Sequence, residues 1–525
     1  MNYFKLLPAA RRLAVTALCG TMLMLAGCAV YSTADDPLKL SPQSALTPVA
    51  VSITANTGEI SGFDKILLER MTQDERRSDI KLIIDTLMMK KVVPGMARDT
   101  SLFIGALPAG DYEFTQLNAG STGKLLRIYG LGRFRVEAGK PIDLGRVIVT
   151  RANFKIGYGR SGEVVSNAEL MQRFAPEYSK LFGANAGTGW TKPRWPKDPT
   201  EAFARSHPAA ATCLTEMSDG RVAAASRMGA ILMRAREGNW RVLNSRYSET
   251  LSCVLPVDLP NAELLAVGEF GIMVRKPRDS EQLLPIDTGN LPPGNLLNIA
   301  GNAGSGWYVL HRSGNEFNVF HSQQLEDGNW QSENKFTLPG SWAFGTDAFW
   351  SWQDAHSLGY ALESGTIAQV DLATGKWSEH KGPPDANLSG FRHLLDGTET
   401  VLVKAGLAGR FPDAYISKDQ QNWTRIVSPF KVLMSPVVPV KGGKLLMEAG
   451  MYNKPELHVS SDNGQTWAPY AGYPLHGSPL ELPSGLMFNV DGEYSGIISI
   501  HSSSDAGKTW KMEHTSLALS RPGQP

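Results

Sequence analysis

Carboxylates and hydroxyls recur near the C-terminus at a spacing that could do chemistry. Ser460, Asp462, Gly464, Thr466 and Trp467 stand in the order Ser-x-Asp-x-Gly-x-Thr-Trp, and Ser503, Asp505, Gly507, Thr509 and Trp510 repeat that order. By composition the two acids could serve as a metal-binding or acid–base pair. By spacing, each carboxylate instead reaches the backbone N–H groups of its own turn, which commits it to structure. The glycine supplies a backbone shape that other residues resist. The indole is large enough to bury between neighbouring sheets. Ser417, Asp419, Asn422 and Trp423 form a related group one residue shorter.

Four thiols are the other reactive groups. Cys28 follows Leu25-Ala26-Gly27, which closes an apolar run over residues 13–26, and residues 1–12 carry Lys5, Arg11 and Arg12 without an acid. The run is too short to span a bilayer, which takes roughly 20 apolar residues. This pattern resembles the lipobox of bacterial lipoproteins. The resemblance implies removal of residues 1–27, acylation of Cys28 and stable anchoring by several acyl chains. An ordinary signal peptide with a chance cysteine is the alternative. Ala29, in place of an acid, implies by the same resemblance the outer membrane, facing the periplasm. Cleavage would remove Cys19 and three positive charges, taking the formal net charge from +1 to −2. No broad electrostatic attraction to nucleic acid or acidic lipid follows from a near-neutral chain.

Cys213 and Cys253 then remain as an even pair in an oxidising compartment. We expect a disulfide between neighbouring repeats, worth about 3–4 kcal/mol in the chain-entropy picture. Two buried free thiols are the alternative. No nearby His or Cys completes a metal site, so no metal or cofactor is expected.

The elements that must position these groups are mostly strands. After the signal, residues 28–48 are rich in Ser, Pro and Ala and read as a flexible tether. Residues 49–155 read as a small β-sandwich domain, with alternating strands around Val51, Leu102, Phe114, Leu126, Phe134 and Val147. Leu107-Pro108-Ala109-Gly110-Asp111-Tyr112 resembles the turn of transthyretin-like and immunoglobulin-like modules, which implies an outward Asp111 and an inward Tyr112. Gly110 and Gly139 are expected at positive φ. Ile80, Ile83, Ile84 and Leu87 share one helical face, so a helical insertion is expected over residues 72–89. Residues 156–206 form a connector, with a helix over 167–182 and a Pro-rich stretch holding Trp190 and Trp195.

From residue 207 to 525 a Trp returns at Trp240, Trp330, Trp377, Trp423, Trp467 and Trp510, at spacings of 90, 47, 46, 44 and 43. The first gap is double, so a degenerate repeat is expected over 255–295. A period near 45 belongs to β-propellers. The expected fold is therefore mainly β, a small sandwich followed by a seven-bladed propeller, with six or eight blades as alternatives. The Ser-x-Asp-x-Gly-x-Thr-Trp groups resemble the Asp-box (BNR repeat) of sialidase-like propellers, where they sit at the rim, away from the central site.

That family's enzymes hold a substrate carboxylate with three arginines, one of them in Arg-Ile-Pro, which does not occur here. Arg234, Arg236, Arg241, Arg275, Arg278, Arg312, Arg392, Arg410 and Arg425 lie in the propeller, and Tyr494 is a late tyrosine comparable with the family's nucleophile. No Gly-x-Ser-x-Gly, His-Glu-x-x-His or phosphate-binding loop is present. His311, His321, His356, His393, His458 and His501 are scattered. Catalysis is therefore not expected. Trp342, Phe344, Phe349, Trp350 and Trp352 form a dense aromatic run with Asp347 and Asp354 close by. Such a run either fills the space between sheets or forms a binding surface. The expectation is a lipid-anchored periplasmic scaffold or assembly factor that binds a protein partner through its propeller. The alternative is a propeller that binds or processes envelope or environmental glycan.

Overall fold

The computed structural model describes residues 32–516 apart from 57–64, 75–76, 93–98, 120–123, 129, 153–154, 163–166, 184–185, 196–197, 327, 339, 342–344, 347–348, 385–386, 395, 405–412, 428–436, 452–453, 473–478 and 493–496. Cys28, Trp342, Phe344, Asp347, Arg410 and Tyr494 lie outside the described residues.

The N-terminal unit contains β1 (Ser32–Thr33), β2 (Thr47–Ala55), β3 (Lys65–Asp74), β4 (Arg77–Val92), β5 (Thr100–Leu107), β6 (Gly110–Ala119), β7 (Lys124–Arg127), β8 (Arg133–Val136), β9 (Ile142–Ala152) and β10 (Lys155–Arg160). All ten belong to one sheet, in the order β10-β9-β2-β5-β4-β3-β6-β7, with β1 on β4 and β8 on β6. Alternation explains the two covered faces of β2. Val49, Val51 and Ile53 enter a core with Ile66, Phe103, Tyr112, Phe134 and Val149. Ala50, on the opposite face with Leu102 and Ile104, is covered by Met171 and Phe182 of the connector.

Three expectations are corrected here. The two separate sheets of a sandwich are replaced by continuous hydrogen bonding, because β4 pairs with β3 along most of its length and with β5 through Lys90–Val92. The helical insertion is strand: β3 and β4 form a long antiparallel hairpin, and Leu87 and Met89, two residues apart, both enter the core. A 3-1-3 spacing of apolar residues also contains strand alternation, and an available pairing partner decides between the two. The tether is not slack from Ser32 onward. Ser32 and Thr33 pair with Leu87 and Met88, the Ala106 N–H donates to the Asp35 carbonyl at 2.8 Å, and Pro37 is buried. Gly110 and Gly139 take the expected positive φ, at +159 and +72, and a Cβ on Gly110 would also meet Arg70 Nε at 2.7 Å.

The connector holds α1 (Asn167–Phe174), α2 (Pro176–Ser179) and α3 (Thr200–Ser206). The single helix expected over 167–182 breaks before Pro176, which has no N–H to continue the ladder. Trp190 stacks against Phe114 and donates from Nε1 to the Leu144 carbonyl at 3.0 Å, whereas Trp195 stays 63% exposed.

The rest of the chain is a β-propeller. Four-stranded antiparallel sheets follow one another over residues 212–244, 251–285, 295–337, 349–381, 388–426, 437–472 and 480–515, called sheets A to G here. A short hairpin, Gly340–Ser341 with Gly345–Thr346, lies between C and D. The degenerate repeat is sheet B, whose third strand is Met273–Lys276. First strands lie innermost. Gln353 of sheet D donates to the Val254 carbonyl of sheet B at 2.9 Å, past sheet C, and such a reach requires the sheets to converge. The disulfide between Cys213 and Cys253 joins the first strands of A and B in this inner wall. Asn298 of C donates to Cys253 Sγ at 3.7 Å and accepts from Ser351 of D at 2.6 Å, extending the bridge.

The last sheet returns to the first. Val222, Ala224 and Leu232 of A share a cluster with Phe488, Ile498 and Ile500 of G. Arg234 grips Glu513 in bidentate fashion at 2.6 and 2.8 Å, and Trp240 and Ser502 donate to the same carboxylate at 3.1 and 2.7 Å. Both charged side chains are buried.

The two units meet through buried charge. Arg227 and Asp99, each 1% exposed, pair at 2.9 Å, and Arg146 pairs with the equally buried Glu249. Thr250 donates to Asp99 at 2.8 Å, the Asp99 N–H donates to Glu269 at 2.7 Å, and Phe174 meets Phe270 edge to face.

Removing one member of a buried pair leaves the other charge uncompensated. Glu513→Ala is therefore expected to cost about 3–5 kcal/mol of stability, read as a shift in the urea midpoint. Little change would show that the contact between G and A does not hold the propeller together.

Candidate functional site

Sequence pointed to the acids of the two Ser-x-Asp-x-Gly-x-Thr-Trp groups, and their surroundings show local duty. Asp462 accepts from the Gln465 and Thr466 N–H groups at 3.0 and 2.9 Å, the Thr466 hydroxyl at 2.6 Å and the Ser460 hydroxyl at 2.8 Å. The hydroxyl and N–H of Thr466 are the main cause that holds its carboxyl down at about 2. Asp505 repeats this with Thr509 and Ser503 and is likewise held at about 2. In the shorter group the Asn422 side-chain amide donates to Asp419 at 2.7 Å, where Thr stands in the longer ones. Sequence reasoning missed Asp371, which accepts from the Ala373 and Thr374 N–H groups and the Thr374 hydroxyl. The signal was Asp371-x-x-Thr374-Gly375-x-Trp377, obscured by the absent serine. Gly464 sits at φ +79, and a Cβ there would lie 2.5 Å from Ile426 of the preceding sheet.

Each repeat indole reaches backward. Trp330 packs with residues of B, Trp377 with C, Trp423 with D, Trp467 with E and Trp510 with F, while Trp240 of A packs with G. Trp423 and Trp467 also donate to the carbonyls of Lys381 and Val427, at 2.9 and 2.8 Å.

The propeller arginines are largely engaged. Arg234 holds Glu513, Arg241 Glu281, Arg275 Glu326, Arg278 Asp258 and Arg425 Asp413, and Arg236 donates to the Asp219 carbonyl. Arg312 lies over Phe317 and donates to Gly314. Arg392 lies exposed on the first strand of E.

One cluster does bring sequence-named residues together. Phe349 packs between C and D against Phe317 and Phe336. Trp350 and Trp352 are half-buried between D and E. Trp352 stacks on His393 with ring centroids 4.6 Å apart and lies over Gly359, where a Cβ would come within 2.1 Å of the indole. His393 faces Asp354 at 3.7 Å on one side and Glu399 at 3.3 Å on the other. Glu399, fully buried, also accepts from His380 at 2.8 Å and Gln420 at 3.4 Å. Burial opposes ionisation of Glu399, but the hydrogen bonds from His380 and His393 outweigh it and hold the carboxyl below its ordinary range. Of the other named histidines, the His356 N–H donates to Asp354 at 2.7 Å, while His311 meets Phe320, His321 meets Tyr308 and His458 faces Glu456. Neither Glu399 nor His380 carried a sequence signal, because they meet only when D and E stack. Among the described residues no group of three or more His, Cys, Asp or Glu is arranged to hold a metal.

A separate cleft of about 540 Å³ lies on the N-terminal unit, with Gly183, Gly187 and Gly189 along one side. Its charged rim is already paired, Arg135 with Asp111 and Lys140 with Glu137.

No protein-family model matches this chain, and no curated protein matches it. Among solved structures it is similar to YCF48 bound to D1 peptide, with 17% identity over 54% of this chain and 91% of that one and a TM-score of 0.39. It is similar to YCF48 from Cyanidioschyzon merolae, with 14% identity over 53% and 91% and a TM-score of 0.39. It is also similar to a catalytically inactive virginiamycin B lyase from Staphylococcus aureus with quinupristin, with 14% identity over 57% and 94% and a TM-score of 0.33.

Two outcomes follow from the local geometry. Ala506 is held at φ +58, and its counterpart in the preceding box, Asn463, shares that value. Asn tolerates this region better, so Ala506→Asn is expected to raise stability by about 0.5–1 kcal/mol in thermal melts. Glu399→Gln is expected to lose about 2 kcal/mol at neutral pH, because charge-assisted bonds become neutral ones. A depressed carboxyl stabilises fully above its unfolded value, about 4.3, and loses that contribution as pH falls through the folded value. The gap between wild type and Glu399→Gln, measured by urea unfolding across pH, should therefore narrow on acidification.

Proposed function

We propose that this protein is a lipid-anchored, periplasm-facing scaffold or assembly factor of the outer membrane that binds a protein partner through its propeller and catalyses no reaction. In this reading the seven sheets are the seven blades of a closed ring, and residues 1–27 are a signal removed before acylation of Cys28. The observation that carries the proposal is the fate of the arginines. Five of those named from the sequence are paired with carboxylates and a sixth with a carbonyl, so they are not held ready for an anionic substrate. The acids of the box turns are likewise saturated by their own turns. What the propeller offers a partner is surface, including exposed Val427, Leu480 and Met512 and the half-buried Trp350 and Trp352.

Cross-linking in intact cells, followed by identification of attached proteins, tests the reading. A reproducible protein partner lost on substitution of propeller surface residues is expected. A specific sugar ligand with no protein partner would replace the proposal by the glycan-binding alternative.

A further inference from the structure

Resting on the lipid-anchor reading, we infer that the N-terminal sheet docks directly on the bilayer surface, with the place where β1 enters between β4 and β5 toward the lipid. Only Ala29, Val30 and Tyr31 separate Cys28 from Ser32. A fully extended chain advances at most about 3.6 Å per residue, so the Ser32 Cα lies within roughly 14 Å of the Cys28 Cα. From Ser32 onward there is no slack. Ser32 and Thr33 pair with β4, Asp35 bridges to Ala106, Tyr178 donates to Asp36 at 3.1 Å, and Pro37 is buried. A leash of that length is comparable with the spacing of about 10 Å between packed sheets, and so cannot hold the unit clear of the headgroups.

The surface next to the leash suits that position. Leu38 is 42% exposed, and Lys39 beside it is open to solvent with Asp36 3.9 Å from its ammonium, an apolar and a cationic side chain together. Such a pair fits the boundary between acyl chains and headgroups. The constraint passes on to the propeller. The Arg227–Asp99 and Arg146–Glu249 pairs bolt the two units together, so the ring is held at one height and one tilt above the lipid.

The test uses the full-length lipoprotein in phospholipid vesicles with headgroup nitroxides. A fluorophore is placed on exposed Thr33 through Thr33→Cys. Loss of its emission is expected with the native leash. Recovery is expected when about twenty Gly/Ser residues, with a reach of roughly 25 Å, are inserted after Tyr31. Unquenched emission with the native leash, or quenching that survives the insertion, would overturn the inference. The mass of the mature N-terminus separates the two readings. Lipid on Cys28 with unquenched Thr33 would sink the docking alone. An unmodified Cys28, with Cys28→Ser still membrane-bound, would sink the anchor and the docking with it.

Discussion

A four-stranded sheet with two apolar faces cannot bury either face by itself, and that constraint organises the larger part of this molecule. Each sheet from A to G is covered by its neighbours, and each repeat indole lies on the sheet before it. Sheet B has no such indole, and its junction with A is filled by small and aliphatic side chains such as Ala223, Ile231, Leu264 and Val274. The series has a sheet before the first only because G returns, and there Trp240, Arg234 and Ser502 converge on Glu513. Along the first strands, a disulfide and short polar bridges also join the sheets.

The joint between the units follows a different logic. Arg227, Asp99, Arg146 and Glu249 are removed from water, a costly choice that apolar residues could often match in stability. What such pairs impose is geometry: a misdocked arrangement would strand charge in a dry interface. Asn56 adds to the register, donating to the His207 carbonyl at 2.9 Å and accepting from the Ala209 N–H at 3.2 Å.

Local features were legible in the sequence and assembled ones were not. The box turns could be read because hydroxyl, carboxylate and glycine act on one another within a few residues. The period of the indoles could be read because six of the seven sheets meet the sheet before them in the same way. The hairpin of β3 and β4 was misread because a partner strand, not the segment's own spacing, selects its conformation. The docking of residues 32–40 was hidden in a composition that also suits a slack linker. The group around Glu399 was hidden because its members come from separate strands of two sheets and share no spacing.

The contact between sheets A and G has a consequence for biogenesis. Arg234 and Glu513 are 279 residues apart in sequence, so the first sheet waits for the last before its outward face is covered. Contacts of such separation form slowly, and the apolar surface they will hide stays open meanwhile. A chain made from its N-terminus exposes Val222, Leu232 and Trp240 until its final segment arrives.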